Sequence, residues 1–270
     1  MSLTSIGDAP FSREQMLDSL EEFSALYAER PIKDNAGGMK SPHLFLAWFA
    51  LRALKPLAVI ESGVWLGQGT WFFERACPDA ELFCIDLDLS RILYRSKRAR
   101  YLDRDFSALD WTDLPARETV LFFDDHQNAV ERVKTAMWFG FSHILFEDNY
   151  PVSQGDCYSL KKAFAHAGFT PLPKPQTLKS RIRESIVGRQ ETQGAVEPNE
   201  VDAKYLRKNL EVYAELPPVF MLARTRWGDE WDGERYPTPP PLLQSVEREY
   251  QRIFFEEASQ YTWMAYAKLS

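Results

Sequence analysis

The sequence predicts an α/β fold: a Rossmann-like, doubly wound and mostly parallel sheet, with helices before it and an insert or lid near its end. Short apolar runs at residues 57–60, 82–85, 120–123 and 144–146, with a weaker one at 99–102, are too short for helices. They also lack alternation, as strands buried on both faces do. Helical stretches at 69–76 and 129–139 separate runs of this kind, and alternating β and α units imply parallel strands joined by right-handed crossovers. Three glycines, Gly63, Gly67 and Gly69, crowd the turn that follows the first run.

The elements follow in order. Ser12 and Gln15 have the spacing of a capping box. Behind it Met16, Leu17, Leu20, Phe23, Leu26 and Tyr27 recur at helical spacing. Gly37 and Gly38 mark an irregular loop, and Ser41-Pro42 opens a second helix that runs to Lys55-Pro56. Residues 1–55 are therefore N-terminal helices and 56–169 the α/β core, closing on a helix at 158–167. Residues 170–245 are proline-rich and read as an insert with a helix near 201–215, since so long a structureless loop is improbable. A helix at 244–258 and a strand at 261–268 return to the core, so that 246–270 closes it.

Composition narrows the function classes. A net charge of -7 argues against a general nucleic-acid binder, which needs a basic face. Residues 1–15 lack the cationic and apolar regions of a secretory signal, and no apolar run is long enough to span a membrane. Cys77, Cys84 and Cys157 are odd in number and lack metal-ligand spacing, which fits a reducing cytoplasm.

The first strand ends in Glu61, and the pattern E-x-G-x-x-x-G-x-G continues through Gly63 and Gly67 to Gly69. Glycine permits a sharp turn and close approach of a ligand, and a helix N-terminus offers free N–H groups. The spacing is neither that of a dinucleotide loop nor that of a P-loop. An acid at the strand end repels phosphate and suits an ammonium group. The second strand ends in Asp86, placed where nucleoside-binding α/β folds put a ribose-binding acid. Asp88 is the runner-up, with helix N-capping as its preferred role.

These residues resemble class I S-adenosylmethionine-dependent methyltransferases. The resemblance implies that Glu61, Gly63, Gly67, Gly69 and Asp86 line the cofactor, with Asp105 and Phe106 near the adenine. For Asp105 a plain turn is the alternative. Met39 and Lys40 resemble the entry segment of the metal-dependent members of that superfamily, which implies that they too bind the cofactor.

The fourth strand closes on Asp124-Asp125-His126 and the fifth on Glu147-Asp148-Asn149. Neighbouring parallel strands bring these acids to one sheet edge, where mutual repulsion favours a divalent cation. Oxygen donors suit Mg²⁺ or a similar hard ion. The pattern resembles metal-dependent O-methyltransferases of the catechol and caffeoyl-CoA type, and more loosely those acting on macrolide sugars. It implies Asp124 or Asp125 as one ligand, and Asp148 with Asn149 as the others. The lysine that serves as candidate base in that family is missing, and His126 stands in its place as the expected proton acceptor, with a helix-start residue hydrogen-bonded to the carboxylates as the alternative reading.

The activity implied is methyl transfer from S-adenosylmethionine to a hydroxyl of a small molecule or carbohydrate. A non-catalytic cofactor-binding module, or a metal enzyme of other chemistry, are the competing readings. Neither nucleic acid nor membrane is an expected partner; a homodimer is. In the insert, Trp227, Trp231 and Tyr236 suit a ring-stacking lid. Lys179, Arg181, Arg183 and Arg189 suit an anion or, more simply, a solvated basic helix.

Overall fold

The computed structural model describes residues 5–168 and 199–270. A short edge strand β1 (Ser5–Ile6) precedes helix α1 (Arg13–Ala28). Ser12 and Gln15 form the expected capping box there, each side chain bonding the other residue's backbone N–H. Helix α2 (Ser41–Leu54) carries Pro42 in its first turn and stops at Lys55, whose backbone is left-handed. Then follow β2 (Ala58–Ser62), α3 (Gln68–Ala76), β3 (Glu81–Ile85), β4 (Ala99–Leu102) and β5 (Thr119–Phe123). Helix α4 (Ala129–Phe139) begins at an Asn128 side chain that accepts from Val130 and Glu131 N–H. It ends at Gly140, which takes the positive φ of a helix terminus. β6 (His143–Phe146), α5 (Leu160–Phe164), α6 (Glu200–Asn209), β7 (Leu210–Glu215), α7 (Arg252–Glu256) and β8 (Ala265–Leu269) complete the order.

The eight strands form one sheet in the order β1-β7-β8-β6-β5-β2-β3-β4. β4, β3, β2, β5 and β6 run parallel, β8 is antiparallel to β6, and β7 and β1 each reverse again. The chain leaves β2 toward β3 and β4, then crosses back to β5 on the other side of β2. The crevice between β2 and β5 is therefore a topological switch point, where open α/β sheets bind ligands.

Both faces of the sheet are covered. Val59, Leu82 and Phe122 pack with α1, α2 and α3 on one face, while Ile60, Phe83 and Phe123 pack with α4, α5 and α6 on the other. This explains why the strands read as unbroken apolar runs. The doubly wound sheet is the expected one.

Three expectations are corrected. Residues 210–215, read as the end of a helix inside an insert, form β7, an inner strand of the sheet in which Leu210, Val212, Tyr213 and Glu215 are buried. The insert therefore does not run unbroken from 170 to 245. The closing helix shrinks to α7 between two single turns at Glu249–Gln251 and Ala258–Gln260. The helix expected at 158–167 shortens to α5. Lys179, Arg181, Arg183 and Arg189 lie outside the described residues. Among the described residues, no helix is long and apolar enough to cross a membrane.

Candidate active site

The loop after β2 and the loop after β5 are tied together at the switch point. Asp124 N–H donates to Ser62 O at 2.8 Å, and Gly63 N–H donates to Ile85 O at 2.9 Å. Gly63 has φ +98°, and a Cβ there would overlap the carbonyl of Asp124. Only glycine lets the two strand ends come this close. Trp65 and His126, one on each loop, both take φ +52°. Left-handed backbone is costly for side chains of this size and concentrates at functional loops.

A cleft of ≈ 350 Å³ opens here, walled by Gly63, Trp65, Ile85, Asp86 and Leu87 on one side and by Asp105, Asp124, Asp125 and His126 on the other. Asp86 Oδ2 accepts the N–H groups of Val64 and Trp65 at 3.2 and 2.9 Å, and its Oδ1 accepts that of Asp88 at 2.9 Å. The carboxylate thus shapes the glycine loop and faces the cleft with its remaining lone pairs. Asp88 caps the following turn through Ser90, its preferred role.

Gly37, Gly38, Asp124 and His126 are shared with a smaller, polar chamber of ≈ 50 Å³, floored by His43, Glu147 and Asp148 and edged by Met39, Lys40, Tyr150 and Arg226. Asp124, His126 and Asp148 each offer a donor atom within 4.8 Å of the others. His126 Nδ1 stands 3.0 Å from Asp148 Oδ2 and 2.8 Å from Asp156 Oδ1. The contact to Asp148 lacks hydrogen-bond alignment, so that buried oxygen has no bonded partner among the described residues. Burial, reinforced by the charges of Glu147 and Asp148, raises the Asp124 carboxyl well above its ordinary range. Burial and Glu147 do the same to Asp148. Burial opposes charge on His126, but the carboxylates of Asp156, Asp148 and Asp124 outweigh it and push the imidazole up to about 11. The imidazolium occupies the place in this acidic cluster that a cation would take.

His43 and Glu147 belong to the chamber although neither had a role assigned. His43 Nε2 accepts the backbone N–H of Thr262 at 2.8 Å, which leaves the ring's proton on Nδ1, 2.5 Å from Glu147 Oε1. Burial keeps this imidazole neutral, lowering it to about 3. No local signal marks the pair, since 104 residues separate them. Asp156, Tyr150 and Arg226 were likewise unassigned.

Several expected site residues lie elsewhere. Glu61 is buried beneath α3, where Oε2 accepts from Thr70 Oγ1 at 2.5 Å, and it does not line the cleft. Desolvation raises it to about 8. Gly67 has φ +91° and lies so close to the Tyr94 carbonyl that a Cβ would overlap it, while a Cβ at Gly69 would meet Glu61 and Met39. Both glycines serve chain packing at the start of α3. Asp105 reaches the cleft wall, but Arg132 holds both its oxygens, at 2.9 and 2.6 Å. Phe106 is fully buried and stacked on Trp111, so it cannot touch a cleft ligand. Asp125 turns from the acidic cluster to Ser62 Oγ and Arg132. Asn149 is also turned away: its amide N–H donates to Tyr213 OH and its carbonyl accepts Lys161 N–H, both at 2.9 Å. Of the four proposed metal ligands the structure brings together Asp124 and Asp148. Met39 and Lys40 border the chamber, not the cleft.

No protein-family model matches this sequence, and no curated protein matches it. Partial likenesses exist among solved structures. One is the O-methyltransferase TomG from Streptomyces achromogenes in complex with SAM, 17% identical, with TM-score 0.36 over 48% of this chain and 66% of that one. Another is CmcI in its apo form, 22% identical, with TM-score 0.38 over 51% of this chain and 66% of that one. A third is an O-methyltransferase from Bacillus cereus in complex with SAH, 14% identical, with TM-score 0.34 over 49% and 66%. The matched part spans just under two thirds of each of these proteins. The likeness is partial.

Proposed function

We propose that the protein is an S-adenosylmethionine-dependent O-methyltransferase assisted by a divalent cation. The observation that carries this reading is the continuity of two unlike spaces at the switch point. A cleft walled by Trp65, Ile85 and Leu87 on one side and by aspartates on the other runs into a chamber floored by carboxylates, and Asp124 and His126 face both.

Bound in the cleft, S-adenosylmethionine would supply an electrophilic methyl group. Trp65, Ile85 and Leu87 offer apolar surface to a nucleoside, and Asp86 offers acceptors to ribose hydroxyls. The donor set of the chamber fits a hard cation, because Asp124 and Asp148 are carboxylates with raised proton affinity and one buried oxygen is unbonded. Asp124 and Asp148 would hold the ion, which supplies a lower pKa to a nearby hydroxyl. With Asp124 and Asp148 neutralised, His126 would lose part of what raises its proton affinity, and with Nδ1 held by Asp156 its Nε2 is the nitrogen that would accept a proton. Asp156 orients that ring through Nδ1. Holding acceptor and cofactor in adjoining spaces removes much of the entropic barrier.

The metal part of the reading is tested by melting the protein with and without Mg²⁺. Saturating cation should raise the melting temperature of the wild type by several degrees, because ligand at ~100 times its Kd adds about 2.7 kcal/mol. Asp148→Ala should abolish the rise. A wild type indifferent to Mg²⁺, Mn²⁺ and Ca²⁺ contradicts the metal site.

A further inference from the structure

One guanidinium below the cleft wall ties together side chains that line the cleft, although it does not line the cleft itself. Arg132 stands on α4 and is 5% exposed. Its Nη1 and Nη2 donate to the two oxygens of Asp105 at 2.9 and 2.6 Å, and Nη2 lies 2.8 Å from Asp125 Oδ2. The same Asp125 oxygen accepts the hydroxyl of Ser62 at 2.7 Å. Asp105, Asp125 and Ser62 all border the cleft, and they stand at or just beyond the ends of β4, β5 and β2. In the sheet β2 and β3 separate β4 from β5, and among the described residues no backbone hydrogen bond joins the two loops that follow them. Phe106 and Phe123 support the guanidinium, whose carbon lies 5.8 and 5.4 Å from their ring centres.

We propose that Arg132 is a positioning residue for the cofactor: by holding Asp105 and Asp125 to one nitrogen it sets the width of the cleft at its nucleoside end. The inference rests on the methyltransferase reading above and deepens it. Trp65, Ile85 and Leu87 face the Asp105 wall from the other side, so the separation between the two walls is the space open to a planar base. A planar fork with two parallel hydrogen bonds fixes distance and angle together, which a lysine does not. The hydrogen bonds of Arg132 also hold the Asp105 carboxyl well below the usual carboxylate range, so it stays ionised and in place. Without the cation, the two carboxylates that shared its nitrogen repel each other. The Asp105 loop keeps its own turn through Ser107 but loses its polar tie to the loop after β5. Stability alone does not account for the arrangement. A buried ion pair adds little over apolar side chains of similar volume, and Arg132 leaves its own Nε buried without a bonded partner among the described residues.

The test is calorimetric binding of S-adenosylhomocysteine to the wild type, Arg132→Met, Arg132→Lys, Asp105→Asn and the double variant Arg132→Met with Asp105→Asn, with urea unfolding of each protein alongside. Arg132→Met should weaken binding by the folded protein about tenfold or more, the size expected when one member of a shared network is removed. Arg132→Lys keeps the charge without the fork and should recover part of that loss; it also decides the matter if the methionine variant does not fold. The double variant should lose less than the product of the two single losses, because Arg132 acts through Asp105. A purely structural role lowers the unfolding free energy and leaves the affinity of the folded protein in place. Wild-type affinity in both Arg132 variants, or losses that multiply in the double variant, overturns the proposal while the cofactor cleft stands. A wild type that binds no S-adenosylhomocysteine refutes the methyltransferase reading and this role with it.

Discussion

Replacing Glu61 by glutamine should change how the protein's stability depends on pH. In the native state this carboxyl lies in the core with Thr70 Oγ1 and Cys84 Sγ on one oxygen and no bonded partner on the other. Desolvation, only partly offset by those bonds, raises its pKa from 4.5 to about 8. Between these values the folded protein holds a proton that the unfolded chain has released. Stability must therefore fall as pH rises through that window, because the native state binds more protons. At ~1.4 kcal/mol per pH unit the fall attributable to Glu61 is roughly 3–5 kcal/mol between pH 4.5 and 8. Glu61→Gln keeps the shape and stays neutral, so it should lack this part of the slope and gain on the wild type as pH increases. Urea unfolding at several pH values between 5 and 8 measures both curves. Glu215, Asp124 and Asp148 also have raised affinities and contribute to both proteins, so the difference between the curves is the quantity to read. Parallel curves would show that Glu61 is ionised in the native protein and would refute the argument.

Two further outcomes follow from packing. Gly63→Ala places a Cβ against the Asp124 carbonyl on left-handed backbone, and should cost roughly 3 kcal/mol or more in chemical unfolding. The variant therefore reports on the β2–β5 seam more than on ligand contact. Lys161 Nζ sits 2.5 Å from Glu215 Oε2 with both side chains buried, and also donates to Pro237 O at 2.6 Å. Lys161→Met should cost about 3–5 kcal/mol by stranding Glu215, whereas the double change Lys161→Met with Glu215→Gln should recover much of it. An additive double variant in urea unfolding would contradict this.

Much of the fold was legible because strands buried on both faces betray themselves as short apolar runs. β2, β3, β5 and β6 lie within a residue or two of the expected positions, and the Ser12–Gln15 box is present. β7 was not legible. Its sequence Leu-Glu-Val-Tyr-Ala-Glu follows a helical pattern directly at Leu210, with neither glycine nor proline to separate them, and only pairing with β8 makes it a strand. At the site, the turn chemistry around Gly63 and Asp86 and the gathering of Asp124 and Asp148 could be read from strand-end positions. Side-chain direction could not. Phe106 and Asn149 stand at expected positions but point into the core, and Glu61 turns under α3. His43 and Arg226 come from a helix and a distant turn, joined to the chamber only by the tertiary fold.

The central claim is that the cleft between β2 and β5 binds S-adenosylmethionine beside a cation site, and calorimetric titration of the purified protein with S-adenosylmethionine, with and without Mg²⁺, tests it most directly. The account predicts one molecule bound per chain with a Kd in the micromolar range, about −8 kcal/mol, and a marked weakening in Asp86→Ala. A folded protein that shows no binding of S-adenosylmethionine under either condition would contradict it.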